Sequence, residues 1–189
     1  MALACGILVF APAALIDALA YDRHAIFAGE IWRLWSAHLV HFSAQQALLD
    51  AAVFFIAGSV AEREIGARRM AIVLALGAPS ISLGLLLAVP GLSHYRGASG
   101  AAMMVALLAG ATLWSGGALN RVLLALLAFG VVIKTAGEAF GISAHLAGLP
   151  QDVVVAWQAH VLGAGFALLM ILAHFLAYSR RGLNLPVHP

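Results

Sequence analysis

The stretch Met70-Ala71-Ile72-Val73-Leu74-Ala75-Leu76-Gly77-Ala78-Pro79-Ser80-Ile81-Ser82-Leu83-Gly84-Leu85-Leu86-Leu87-Ala88-Val89-Pro90 carries no charged side chain. A run of about 20 apolar residues is what an α-helix needs to cross the hydrocarbon core of a bilayer. Five further apolar stretches flank it, and together they predict helices over 3–20, 44–61, 70–90, 98–115, 121–136 and 153–178. Pro79 is expected to kink the third of these. Of the 189 residues, 63% are hydrophobic and 10% charged, with a mean hydropathy of +1.01. A water-soluble domain needs more charge than that to cover its surface. The composition therefore predicts an integral membrane protein whose solvent is lipid, folded as one domain over 1–189.

The charges lie between the apolar runs. Arg63, Arg68, Arg69, Arg121, Arg180 and Arg181 fall on one side if both termini are inside, against Arg23, Arg33, Arg96 and Lys134 on the other. That bias places the first group in the cytoplasm. Tyr178 and Trp114 then sit at the inner interface. No basic run is interleaved with aromatics, so no nucleic-acid partner is expected. The single cysteine, Cys5, reads as a small core residue and excludes a disulfide framework. Between the first two helices, Ile31, Trp32, Leu34 and Trp35 alternate with Glu30, Arg33 and Ser36, the pattern of an amphipathic segment lying at the membrane interface.

Three polar elements interrupt the apolar helices. Gly97-Ala98-Ser99-Gly100 opens the fourth helix, where small residues let backbones approach and the unpaired amides of a helix start can stabilise an oxyanion. In the sixth helix, His160 stands beside the small faces of Ala159 and Gly163, well placed to meet a serine on a neighbouring helix. On the second helix, Gln46 and Asp50 are four apart and share a face. The rise of the helix puts His160 and Asp50 each about 10 Å below the outer ends of their helices. Such groups predict a polar cavity opening outward. Asp50 is expected either to be protonated or to turn towards loop donors, since an ionised carboxylate would oppose an oxyanion. His38 and His41 lack a third ligand for a metal and read as supports of the loop. His24, His94, His145, His174 and His188 lie near helix ends or in loops and are given no chemistry, and no metal or other cofactor is expected.

Together these residues resemble the rhomboid intramembrane serine proteases. Glu30-Ile31-Trp32-Arg33, His41-Phe42-Ser43, Gln46, Asp50, Gly58, Glu62 and Gly66 are similar to the first loop and second helix of that family. Gly97–Gly100 is similar to its Gly-x-Ser-Gly motif, and Ala159–Gly163 to its Ala-His-x-x-Gly motif. Ala47-Leu48-Leu49-Asp50 and Tyr95–Gly100 look most like the rhombosortase branch, associated with proteins carrying a Gly-Gly-containing C-terminal membrane tail. Many rhomboids have histidine and asparagine where this chain has Gln46 and Asp50. The resemblance implies a six-helix all-α membrane bundle with Ser99 as nucleophile and His160 as general base. Gln46, Asp50, Gly97 and Gly100 would support the oxyanion or the site. It further implies single-span membrane proteins as substrates, and a bacterial inner membrane with the site open to the periplasm. A proteolytically inactive rhomboid-like binding or trafficking protein is the second reading, and a small transporter the third, disfavoured by the absence of inverted repeats.

Overall fold

The computed structural model describes residues 1–114, 116–140 and 156–182, the last nine of them by backbone alone. Five apolar helices form the body: α5 (Ala44–Ile65), α6 (Ala67–Ala88), α7 (Ser99–Leu113), α8 (Ala118–Ala139) and α9 (Trp157–Gly182). By length and composition α5, α6 and α8 can each cross a membrane, and α7 and α9 supply shorter apolar segments. α7 is the hub. It is built of small residues, so Gly100, Ala101, Ala102 and Ala109 are buried between α5 and α9, with α6 against both α7 and α9. α8 packs on α9 and α7 and otherwise exposes Leu126, Leu127, Phe129, Val132 and Ile133. Water does not tolerate an apolar face of that size, and lipid does. The chain is an integral membrane protein.

The expected first span over 3–20 is not one helix. It consists of α1 (Ala2–Leu8) and α2 (Ala13–Leu19), seven residues each, separated by a turn before Pro12. Proline has no N–H for the carbonyl four residues back and turns the preceding residue away from helix. Each piece rises only about 10 Å, so neither crosses the bilayer. The inside placement of the N-terminus loses the helix on which it rested. Among the described residues the apolar helices number five rather than six.

The other boundaries shift by a few residues, α6 ending at Ala88 and α7 running from Ser99 to Leu113. α5 continues past 61 to Ile65 and stops at Gly66, whose φ of 85° is outside the helical range. α6 begins at Ala67 and takes in Arg68 and Arg69. α8 continues past 136 to Ala139, which brings Glu138 onto the helix. The expected ends at 115 and 153, together with His145, His188 and the side chains of His174, Tyr178, Arg180 and Arg181, lie outside the described residues.

α6 runs unbroken through Pro79. The missing proline N–H leaves the Ala75 carbonyl without its helical donor, and Trp35 Nε1 donates to that oxygen at 2.9 Å. Trp35 belongs to the outer segment, which holds β1 (Tyr21–Asp22), α3 (Arg23–Phe27) and α4 (Arg33–Ser36). This segment does more than lie at an interface. The last carbonyls of α2 need partners, and α4 provides them. Arg33 Nη1 donates to Asp17 O and Ala20 O at 2.6 and 2.7 Å, Trp32 Nε1 to Ala18 O at 3.3 Å, and Ser36 Oγ to Leu19 O at 2.7 Å. Glu30 neutralises Arg33 at 2.7 Å. Ile31, Trp32 and Trp35 keep exposed apolar surface, as the amphipathic pattern predicts.

Candidate active site

Ser99 is the first residue of α7, and the turn before it is held from several sides. β2 (His94–Tyr95) pairs antiparallel with β1, Tyr21 opposite Tyr95, which ties the turn to the outer segment. Tyr95 donates its hydroxyl to Gly97 O at 2.7 Å, and Gly97 N–H donates to Ala37 O at 3.1 Å. Gly97 adopts φ +131°, a region closed to most side chains. A Cβ there would lie 2.6 Å from Gln46 Nε2 and 3.6 Å from Asp50 Oδ2. The glycine therefore lets the Gln46 amide and the Asp50 carboxylate of α5 reach the backbone of the serine turn.

Gln46 and Asp50 follow from the way α5 starts. Ser43 caps it by accepting the Gln46 N–H at 3.1 Å. The Gln46 side chain then bridges two segments, accepting Phe42 N–H at 3.0 Å and donating through Nε2 to Arg96 O at 3.2 Å. One turn on, buried Asp50 accepts the Ala98 N–H at 2.9 Å through Oδ2. His41 Nε2 lies 3.1 Å from the same oxygen and 3.3 Å from Ala98 N. Asp50 thus faces a loop amide, one of the two arrangements the sequence allows. His41 is the surprise: it belongs to the site and not merely to the loop's support.

His38 plays a different part from His41. Its Nε2 lies 2.8 Å from Ala78 O and 2.9 Å from Ser82 Oγ, on α6. Burial pushes its pKa down to about 4, so the ring is neutral at physiological pH. The two histidines thus face different partners. Among the described residues no group of three His, Cys, Asp or Glu side chains could hold a metal ion.

α9 and α7 touch backbone to backbone one residue past Ser99. A Cβ on Gly100 would meet Ala159 O at 2.7 Å and Ala159 C at 3.1 Å, and a Cβ on Gly163 would overlap the Gly100 carbonyl. Glycine at both positions sets His160 of α9 directly beside the helix that starts at Ser99. His160 is 4% exposed. Its Nδ1 stands 2.9 Å from Glu138 Oε2 of α8, and Glu138 Oε1 is paired with Lys134. Sequence reasoning missed Glu138 because the fifth helix was expected to end at 136. The signal was available in Lys134 and Glu138, an i,i+4 pair of opposite charges in an apolar run. An apolar cavity of about 800 Å³ opens between α7, α8 and α9, lined by Met103, Leu107, Leu127, Val131 and Trp157, with His160 in its wall.

This arrangement offers a hydroxyl at a helix start, an imidazole on the adjoining helix, and amides converging on the turn. No curated protein matches the chain significantly. The sequence does match the Rhomboid domain over residues 28–177. That range contains every residue of the arrangement, and rhomboid membership implies serine proteolysis of membrane proteins. A match over most of its length shows that the chain belongs to the rhomboid family.

Proposed function

We propose that the protein is an intramembrane serine endopeptidase in which Ser99 and His160 form the catalytic pair, cutting membrane-anchored proteins near the outer face of the membrane. The observation that carries this is the backbone contact of Gly100 with Ala159 and Gly163, which puts the serine turn against the histidine helix. Ser99 Oγ attacks the scissile carbonyl while His160 Nε2 takes its proton. The same imidazole then protonates the leaving amine, and water releases the acyl group by the reverse sequence. The Ala98 N–H is engaged by Asp50. The oxyanion is left to the Ser99 N–H and to the second N–H of the Gln46 amide, whose first is given to Arg96 O. Gly97 and Gly100 provide the backbone room.

Substrate choice follows from the same physics. Helical carbonyls are already hydrogen-bonded, so a substrate must open its helix before Ser99 can reach one. Glycine makes that opening easiest. This agrees with the resemblance to the rhombosortase branch and favours single-span proteins with Gly-Gly-containing C-terminal anchors. The apolar cavity that reaches His160 offers room for such a segment. The residue pattern suits a bacterial inner membrane with the site open to the periplasm, the arginine bias supporting that orientation.

A serine-reactive fluorophosphonate probe tests the pair. The wild type should be labelled, and Ser99→Ala and His160→Ala should each abolish labelling and cleavage without adding to one another, since the groups act as a unit. Substantial cleavage by either purified variant refutes the mechanism.

A further inference from the structure

His160 needs only one ring nitrogen to serve Ser99. The other, Nδ1, is fully enclosed and faces Glu138 Oε2 at 2.9 Å; both side chains are 4% exposed. At that distance the two atoms are not aligned as a hydrogen bond, and neither has another hydrogen-bond partner among the described residues. An ionised carboxylate in so dry a place is costly unless cations hold it. Glu138 has two candidates, the His160 ring on one oxygen and Lys134 on the other. Lys134 reaches it from one turn back on the same helix and remains half exposed.

We infer that Glu138 is the third member of the site, a positioning residue whose carboxylate receives the Nδ1–H of His160 and which Lys134 keeps ionised. This rests on the Ser99–His160 reading above and extends it. A carboxylate against Nδ1 does three things at once. It selects the tautomer that leaves Nε2 as the base, it fixes the rotation of the ring, and it stabilises the imidazolium formed when Ser99 gives up its proton. No proton passes to Glu138. The contact is at ion-pair distance, and alignment into a hydrogen bond accompanies formation of the imidazolium. It also crosses between helices: α8 reaches the chemistry through this side chain.

Asp50 and His41 lie at the Ala98 amide of the serine turn, on α5 and the loop before it. α7 contains no charged residue. Gly84 of α6 lies against Leu162 of α9, so Arg68 and Arg69, some fifteen residues away along α6, are more than about 20 Å distant. Glu138 and Lys134 are therefore the charged groups that the helices packed on α9 present to His160 among the described residues.

The test is the rate of fluorophosphonate labelling of the full chain in detergent across pH 5 to 9. Glu138→Gln preserves shape and removes the charge. It should slow labelling by ~10²-fold at neutral pH and move the acid limb of the profile down by about one unit, because the imidazolium loses its counter-charge. Glu138→Asp should recover part of both effects. A Glu138→Gln rate within about threefold of wild type, with an unmoved limb, overturns the inference. Should Glu138→Gln fail to fold, Lys134→Met carries the test: without the cation that keeps Glu138 ionised, the acid limb should fall and labelling should slow, and a limb and rate that both stay overturn the inference. Labelling that survives His160→Ala overturns this inference together with the proposed function. Loss of labelling in His160→Ala with an unaffected Glu138→Gln overturns this inference alone.

Discussion

Gly100→Ala separates the geometry of the site from the stability of the fold. The added Cβ would stand 2.7 Å from Ala159 O, 3.1 Å from Ala159 C and 3.2 Å from Ala159 Cβ. These are backbone atoms and a Cβ, so no side-chain rotation relieves the contact. Carbon and carbonyl oxygen approach comfortably at about 3.3 Å, so α7 and α9 must part by roughly 0.6 Å. Overpacking of this kind costs about 1–3 kcal/mol. Exchanging glycine for alanine in a helix returns about 0.8–1.0 kcal/mol. The net loss is then roughly 0–2 kcal/mol, and the protein still folds. Catalysis is less forgiving, because Ala159 adjoins His160 and Gly100 adjoins Ser99. A displacement of 1 Å costs about 10²-fold in rate, so 0.6 Å scales to about 10- to 20-fold. The assay pairs fluorophosphonate labelling rates with thermal unfolding in one detergent. Gly130→Ala, where a Cβ meets nothing within 4 Å, is the control and should leave labelling unchanged. Gly100→Ala labelling within twofold of wild type would refute the argument that the α7–α9 approach sets the site.

Three further outcomes are expected. Asp50→Ala removes the nearer acceptor of the buried Ala98 N–H and leaves it only His41 Nε2 at 3.3 Å, which costs up to about 1–3 kcal/mol and loosens the serine turn, whereas Asp50→Asn keeps an acceptor and most activity; equal loss in both, measured by labelling and unfolding, would mean that the charge itself is required. For His38 the folded-state pKa of about 4 lies below the unfolded value of 6.5. The unfolded chain therefore binds more protons between these values, and stability present above pH 6.5 is lost as pH falls towards 4, by about 3 kcal/mol at most; unfolding midpoints should show a steeper acid loss in wild type than in His38→Gln, and parallel slopes would refute it. In a Cys5→Ala background, His94→Cys should react with an impermeant thiol reagent from the outer side and Arg68→Cys only from the cytoplasm. The reverse pattern would put the site on the wrong face.

What the sequence revealed depended on distance along the chain. The spans of α5 through α9 were legible because long apolar runs have few alternatives in lipid. The first span was misread because hydropathy averages over Pro12, and one missing N–H is enough to divide a run of otherwise suitable residues. The outer segment showed its exposed tryptophans but not its buried Arg33, since capping α2 requires knowing where α2 ends. Within the site, Ser99, Gly97 and Gly100 form a contiguous motif, and Gln46 and Asp50 share a helix face, so local spacing exposed them. His41 and Glu138 did not stand out. The first meets its amide partner, Ala98, 57 residues away, and the second meets a ring on another helix. Their roles exist only once the helices have packed.

The two buried carboxylates, Asp50 and Glu138, each have their own compensation, which bears on an electrostatic difficulty in the proposed chemistry. Negative charge develops near the Ser99 amide during attack, and an uncompensated carboxylate nearby would oppose it. Asp50 holds one oxygen against the Ala98 N–H, with His41 Nε2 3.1 Å from it, and the amide offsets part of its charge. Glu138 lies on the other side of His160, paired with Lys134, where negative charge helps by stabilising the imidazolium. Gln46, a neutral side chain, reaches the turn and donates an amide N–H to Arg96 O. In the proposed mechanism the neutral Gln46 amide serves the oxyanion, while the Ala98 N–H offsets Asp50 and Lys134 offsets Glu138, so that two carboxylates need not repel the intermediate.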